Sequence, residues 1–233
     1  MKFFVLTLFP DMINDGLNHS MIKRAMDADL IAVESIDIRD FANNKHNRVD
    51  DYPYGGGAGM VIMPEPVYDA YAHAMQKAKP GTRVVYLTPQ GKPFKQAMAQ
   101  EFSKEENLIL ICGHYEGIDE RVLEEIVTDE VSLGDFVLTG GELAAMAVID
   151  ATARLLPGVL SEGSPDEESF SNGLLEYPQY TRPFEFHGRT VPNVLLAGHH
   201  KNVAQWRAER ALERTKAKRP DLWEKAMEQT TWP

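Results

Sequence analysis

Two short apolar runs, each delivered to glycines, constrain this chain most. Leu108–Cys112 (LILIC) leads to Gly113 and Gly117. Val131–Leu138 (VSLGDFVL) contains Gly134 and leads to Gly140 and Gly141. A short, β-rich apolar run ending in glycine reads as a buried strand that delivers a loop at its tip. Glycine there allows φ > 0 and a close approach of backbone to a ligand. One helical segment, Asp119–Val127, separates the runs. The two tips can therefore face each other across a small-molecule cleft walled by backbone amides and carbonyls. A pair of ordinary βα turns satisfies the same spacing, and glycines alone do not name a ligand.

The rest of the chain sets the frame for these tips. Lys2–Phe9 reads as a first strand, with Asp11 at the cap of a helix Met12–Ala28 that carries Ile13, Leu17, Met21 and Ala25 on one face. Ile31–Ile38 reads as a second strand and Pro64–Ala78 as a helix. Arg83–Leu87 is expected as a strand with a turn at Thr88–Gly91, followed by a helix Pro93–Ser103. A further helix runs from Glu142 to about Leu156 and stops at Pro157-Gly158; an arginine in its last turn, Arg154, suits the helix dipole. Strands alternating with helices over residues 1–156 predict an α/β domain with a mainly parallel sheet. No Gly-x-Gly-x-x-Gly follows the first strand, as a dinucleotide fold would require. Leu160–Asn172 (LSEGSPDEESFSN) is polar and reads as a flexible linker. Beyond it, Gly173–Phe184 is extended by its prolines. Helices Val203–Lys216 and one opened by Pro220 make a small, mostly helical domain.

Arg39–Met60 is a long loop rich in asparagine and glycine, and long loops are often functional. Its GGGAG is no phosphate loop, since no Gly-Lys-Ser/Thr follows. A net charge of −11 argues against non-specific nucleic-acid binding. The charge is uneven, however: Glu101–Asp135 holds eleven acids and two bases, and Lys201–Arg219 seven bases and two acids. An acidic body with a basic C-terminal segment suits an RNA that touches part of the surface, although solvated helix faces account for much of both runs. The single cysteine, Cys112, rules out an internal disulfide and points to a reducing compartment. The N-terminal apolar stretch is too short for a signal peptide and no stretch approaches a membrane span, so a soluble cytoplasmic protein is expected.

The wording of eight blocks goes further than spacing. LTLFPDM, VDDYPYGGGAGM, YLTPQGKPF, ICGHYEGIDER, SLGDFVLTGGEL, RLLPGVL, GLLEYPQYTRP and VLLAGHHKNVAQWR follow in one order along nearly the whole chain. Together they closely resemble the bacterial tRNA (guanine-N1-)-methyltransferase family of the SPOUT superfamily. The resemblance implies a knotted α/β methyltransferase domain over residues 1–159, ending in a deep trefoil knot. It implies a flexible linker over 160–172 and a small helical tRNA-binding domain over 173–233. It implies S-adenosylmethionine as methyl donor, N1 of the guanine 3′ of the anticodon (position 37) as acceptor, and a homodimer whose sites are shared between subunits. Neither DNA nor a membrane is implied as a partner.

Residue by residue, the resemblance assigns the donor's adenosine to the backbone around Tyr86, Leu87, Thr88 and Pro89, extending to Gln90. Gly113, Tyr115, Glu116 and Gly117 follow from the first tip, with Glu116 facing the donor's cationic end. Ser132, Leu133, Gly134, Asp135, Phe136, Val137 and Leu138, with Gly140 and Gly141, follow from the second. In the long loop, Asp50, Gly55 and Gly59 match positions that contact the target nucleotide. By their chemistry, His199, Lys201, Arg207 and Arg210 are expected to meet tRNA phosphates, and Trp206 to pack rather than stack on a base. Guanine N1 must lose a proton before it can attack a sulfonium methyl, so a base and a cation for O6 are needed. The resemblance gives these roles to Glu168 and Arg154. The family's linker acid is an aspartate; here Glu168 stands in its place, with Asp166 and Glu167 nearby. One extra methylene misplaces a carboxylate by roughly 1 Å, an error that costs about 100-fold where nothing absorbs it. That departure keeps a second reading open: a catalytically impaired RNA-binding protein on the same scaffold. A further proline common after GGEL is replaced by Ala144. No carboxylate cluster has the ligand spacing of a magnesium site, so any Mg2+ requirement is not readable from the sequence.

Overall fold

The computed structural model describes residues 1–161 and 168–229. The chain forms two compact units, Met1–Ser161 and Glu162–Pro233. The first is an α/β unit. Strands β1 (Lys2–Thr7), β2 (Ala32–Asp37), β5 (Arg83–Pro93), β6 (Asn107–Cys112) and β7 (Asp129–Ser132) form one sheet in the order β2-β1-β6-β5-β7. All its pairings are parallel. β3 (Asp50–Asp51) and β4 (Val61–Ile62) form a separate antiparallel ribbon.

The strands read as unbroken apolar runs because both faces of the sheet are covered, as parallel sheets require. Alternate residues enter opposite cores. Phe3, Val5, Leu108, Leu110 and Cys112 enter one core. It is completed by helices α1 (Pro10–Leu17), α2 (Ser20–Asp27), α4 (Gln96–Phe102) and α6 (Glu142–Ala153). Phe4, Leu6, Ile109 and Ile111 enter the other, under α3 (Pro64–Met75) and α5 (Glu120–Ile126).

Several expected elements are redrawn. The single helix over Met12–Ala28 is two helices, broken at Asn18–His19, with Ser20 at φ 51. Asp11 is not the cap: Phe9 holds that position, Pro10 opens α1, and Asp11 lies in the first turn. Pro93 belongs to β5, not to α4. The strand bulges out at Thr88–Gly91 and resumes, so that Leu87 and Lys92 both align with Val131. The run Val131–Leu138 is not one buried strand. β7 ends at Ser132, whose hydroxyl both accepts from Gly134 N and donates to Gly134 O, each at 3.1 Å. Beyond that turn Phe136 and Val137 are exposed.

The second unit holds a two-strand hairpin, β8 (Glu185–Phe186) and β9 (Arg189–Thr190), and two helices, α7 (His200–Lys218) and α8 (Pro220–Gln229). Thr215, buried on α7, accepts from Leu175 N at 2.9 Å and so ties the extended segment to the helix. No helix among the described residues is long and apolar enough to cross a membrane.

Candidate active site

The C-terminal ends of β5, β6 and β7 open onto a cleft of about 330 Å³. Parallel sheets commonly present ligand sites at this edge. Its floor is Tyr86–Gln90 of the β5 bulge, one wall is Gly113–Gly117, and the other is Val131–Gly134 with Phe136–Gly141. The two glycine tips touch: Gly141 N donates to Gly113 O at 2.9 Å. A Cβ on Gly141 would sit 2.7 Å from Cys112 Cα, and one on Gly113 would sit 2.9 Å from the Tyr86 hydroxyl. Glycine at both positions therefore serves close packing of the walls as well as access. Tyr115 takes φ 58, and Gly117 N closes the turn onto His114 O at 3.0 Å.

Seventeen of the eighteen expected donor-binding positions line this cleft; Asp135 does not. Phe136 N donates to Gly134 O at 2.9 Å, a three-residue turn that leaves its central residue, Asp135, exposed. His114, Val131, Thr139 and Ala144 also line the cleft. The position of His114 between Gly113 and Tyr115 was signal enough to find it. Val131 and Ala144 look like ordinary core residues, and only tertiary packing identifies them.

The electrostatics separate structural from reactive groups. Burial pushes the Cys112 thiol well up, with the Glu142 carboxylate adding to the effect, so Cys112 stays protonated and inert. Burial likewise pushes up the Tyr86 phenol. Asp119 caps α5 by accepting from Arg121 N, and the Arg121 guanidinium beside it holds its carboxyl below the usual range.

The long loop is joined to the cleft. Glu116 N donates to Met60 O, Ile62 N to Gly117 O and Asp119 N to Ile62 O, each at 3.0 Å. Gly59 has no room for a side chain, since a Cβ there would meet Glu116 Cγ at 2.5 Å. Asp50 lies in the β3–β4 ribbon, and Gly55 is exposed at φ 87.

Arg154 is elsewhere on the first unit. It is half-buried at the C-terminal cap of α6, in a groove with Gly16, Met21, Met146, Asp150 and Leu160. Glu168 is half-buried, and its carbonyl accepts from Ser171 N at 3.2 Å. Asp166 and Glu167 lie outside the described residues. In the second unit, His199 and Lys201 are exposed at the start of α7. The Arg207 guanidinium lies 4.6 Å from the Tyr177 ring centre. Arg210 pairs with Glu213 at 2.7 Å. Trp206 is half-buried, with its ring 6.1 Å from that of Tyr180. Among the described residues no group of three or more His, Cys, Asp or Glu is placed to hold a metal ion.

Comparison with known proteins bears on this site. A family model described as tRNA (guanine-1)-methyltransferase TrmD matches residues 1–225. A tRNA (guanine-N(1)-)-methyltransferase of Lachnospira eligens is 60% identical over 225 residues, 96% of this chain and 95% of that protein. Proteins of the same description from Ruminiclostridium cellulolyticum (56% identity, 97% of each chain) and Clostridioides difficile (53%, 98% of this chain and 100% of that one) are similar along their length.

Proposed function

Because this chain belongs to the tRNA (guanine-N1-)-methyltransferase family, we propose that its glycine-walled cleft holds S-adenosylmethionine for methylation of guanine 37, immediately 3′ of the anticodon. The chain is a methyltransferase that uses S-adenosylmethionine and modifies guanine N1 in tRNA. The observation that carries the proposal is the cleft itself. Its walls are backbone groups of Gly113, Gly117, Gly140 and Gly141, which suit the polar edges of an adenosine, and its volume suits a molecule of that size. Thr88 and Glu116 add polar side chains, and Phe136, Val137 and Leu138 an apolar flank.

The donor supplies an electrophilic methyl on a sulfonium. The residues of the chain align the acceptor and move its proton. Glu168 takes the N1 proton and Arg154 stabilises charge growing on O6. Arg154 follows the last residue of α6, while Gly141 caps its first, so about 18 Å of helix separates the arginine from the wall beside it. That separation supports a homodimer in which each cleft is completed by the partner's arginine. The exposed apolar side chains Phe9, Met12, Val137 and Leu143 suit burial against a second copy. The loop 133–141, laid against the β6 tip, is consistent with a SPOUT-type trefoil knot within residues 1–159. Residues 173–233 serve as the tRNA-binding domain, joined by the linker 160–172; His199, Lys201 and Arg207 meet phosphates there, and Asp50, Gly55 and Gly59 meet the target nucleotide.

Incubation with labelled S-adenosylmethionine and a tRNA transcript tests the reading. Label is expected on N1 of guanine 37 and lost when that base is replaced by adenine. Label that persists on the replaced transcript overturns the assignment of position.

A further inference from the structure

Glu142 is 2% exposed, and among the described residues it forms no ion pair. One oxygen accepts from the Thr7 hydroxyl at 2.7 Å; that hydroxyl in turn accepts from Phe9 N at 2.9 Å. The other oxygen, Oε2, lies against Gly140, a residue of the cleft wall, where a Cβ would collide with it. The same Cβ would sit 2.7 Å from His114 Nδ1, a buried nitrogen without a hydrogen-bond partner. Burying a carboxylate without a cation is costly. The Thr7 hydroxyl and the N-terminal peptide dipoles of α6 offset part of that cost.

We propose that Glu142 is a charge selector for the methyl donor: a buried carboxylate behind Gly140 whose missing counter-ion is the donor's sulfonium. This rests on the reading that the cleft binds S-adenosylmethionine. Only glycine backbone separates this anion from the cleft, and a buried charge is screened less than an exposed one, so its field reaches a ligand there. Methyl transfer removes the positive charge from sulfur, so the same carboxylate that favours the donor has no attraction for the neutral S-adenosylhomocysteine. Glu142 thus acts at a distance, as a positioning and selecting residue that does not touch the reacting atoms.

The test is Glu142→Gln, which keeps shape and the acceptor for Thr7 while removing charge. Calorimetric titration of S-adenosylmethionine, its cationic amine analogue sinefungin and S-adenosylhomocysteine gives three affinities for each protein. Both cationic ligands are expected to weaken about tenfold in the variant, with S-adenosylhomocysteine unchanged within about twofold. Equal weakening of all three, or of none, overturns the proposal and leaves Glu142 a wall-building residue. Thr7→Val keeps the charge and removes the hydrogen bond; a loss of donor preference there as large as in Glu142→Gln also counts against it. Should Glu142→Gln fail to fold, the unaltered protein decides: it must bind S-adenosylmethionine and sinefungin more tightly than S-adenosylhomocysteine, and equal affinities overturn the proposal. Failure of the unaltered protein to bind any of the three falls instead on the donor-cleft reading.

Discussion

Adding a methyl group to Gly141 places a Cβ 2.7 Å from Cys112 Cα and 3.1 Å from Gly113 N, and backbone atoms have nowhere to retreat. Gly141→Ala is therefore expected to cost about 1–3 kcal/mol in urea denaturation and to weaken donor binding in calorimetry. The opposite pattern is expected of Arg154→Ala. It lies outside the cleft, so donor affinity should stay within about twofold while kcat falls roughly 10²–10³-fold. Glu168→Gln should lower kcat about 10²–10⁴-fold, and Glu168→Asp should restore most of it; equal rates for all three acids or amides at this position would remove the base from the scheme. The glycines were legible in the sequence because their spacing after apolar runs has one cheap explanation, a strand tip. Asp135 stands outside the cleft lining for a reason no spacing reveals: a three-residue turn carries it outward while both its neighbours stay in the lining. His114 is legible in the same way, as the side chain between Gly113 and Tyr115.

Among the elements, β7 depends on its neighbour. It has four residues, lies at the sheet edge, and is clamped to β5 by the charged hydrogen bonds of Arg83 to Asp129. The Arg83 guanidinium beside Asp129 holds its carboxyl below the usual range. A lowered native value means the stabilisation is present above the ordinary aspartate range and fades as pH falls through the native value. Asp129→Asn is thus expected to cost about 1–2 kcal/mol at neutral pH, with the gap from the unaltered protein closing in denaturant titrations as pH falls through and below the ordinary aspartate range. A gap that is constant with pH would assign Asp129 a purely steric role. Element type was readable from apolar runs throughout the sheet. The ends were not, because Val131–Leu138 is continuous in hydrophobicity but is cut by the Ser132–Gly134 turn, and the apolar residues past the cut face outward.

For the whole molecule, the parallel α/β architecture followed from the alternation of elements, whereas strand order did not, since nothing local tells β6 to lie between β1 and β5. The shared-site reading makes a quantitative prediction. Arg154→Ala protein, with an intact cleft, is mixed with Gly141→Ala protein, with an intact arginine, under conditions that exchange subunits. Random pairing gives half mixed dimers with one complete site each, so about a quarter of normal activity should return. No recovery after verified exchange would place arginine and cleft on the same subunit.

One consequence of the sheet order concerns the ribosome. β1 is flanked by β2 on one side and by β6 on the other, with Lys2 opposite Asn107. The first strand to emerge, with Phe3, Phe4, Val5 and Leu6 all fully buried in the finished protein, must wait for about a hundred further residues before its second neighbour is translated. At typical elongation speeds that is a delay of roughly five to twenty seconds. For that interval the nascent chain carries its stickiest segment half-clothed, and chaperone cover would matter most there.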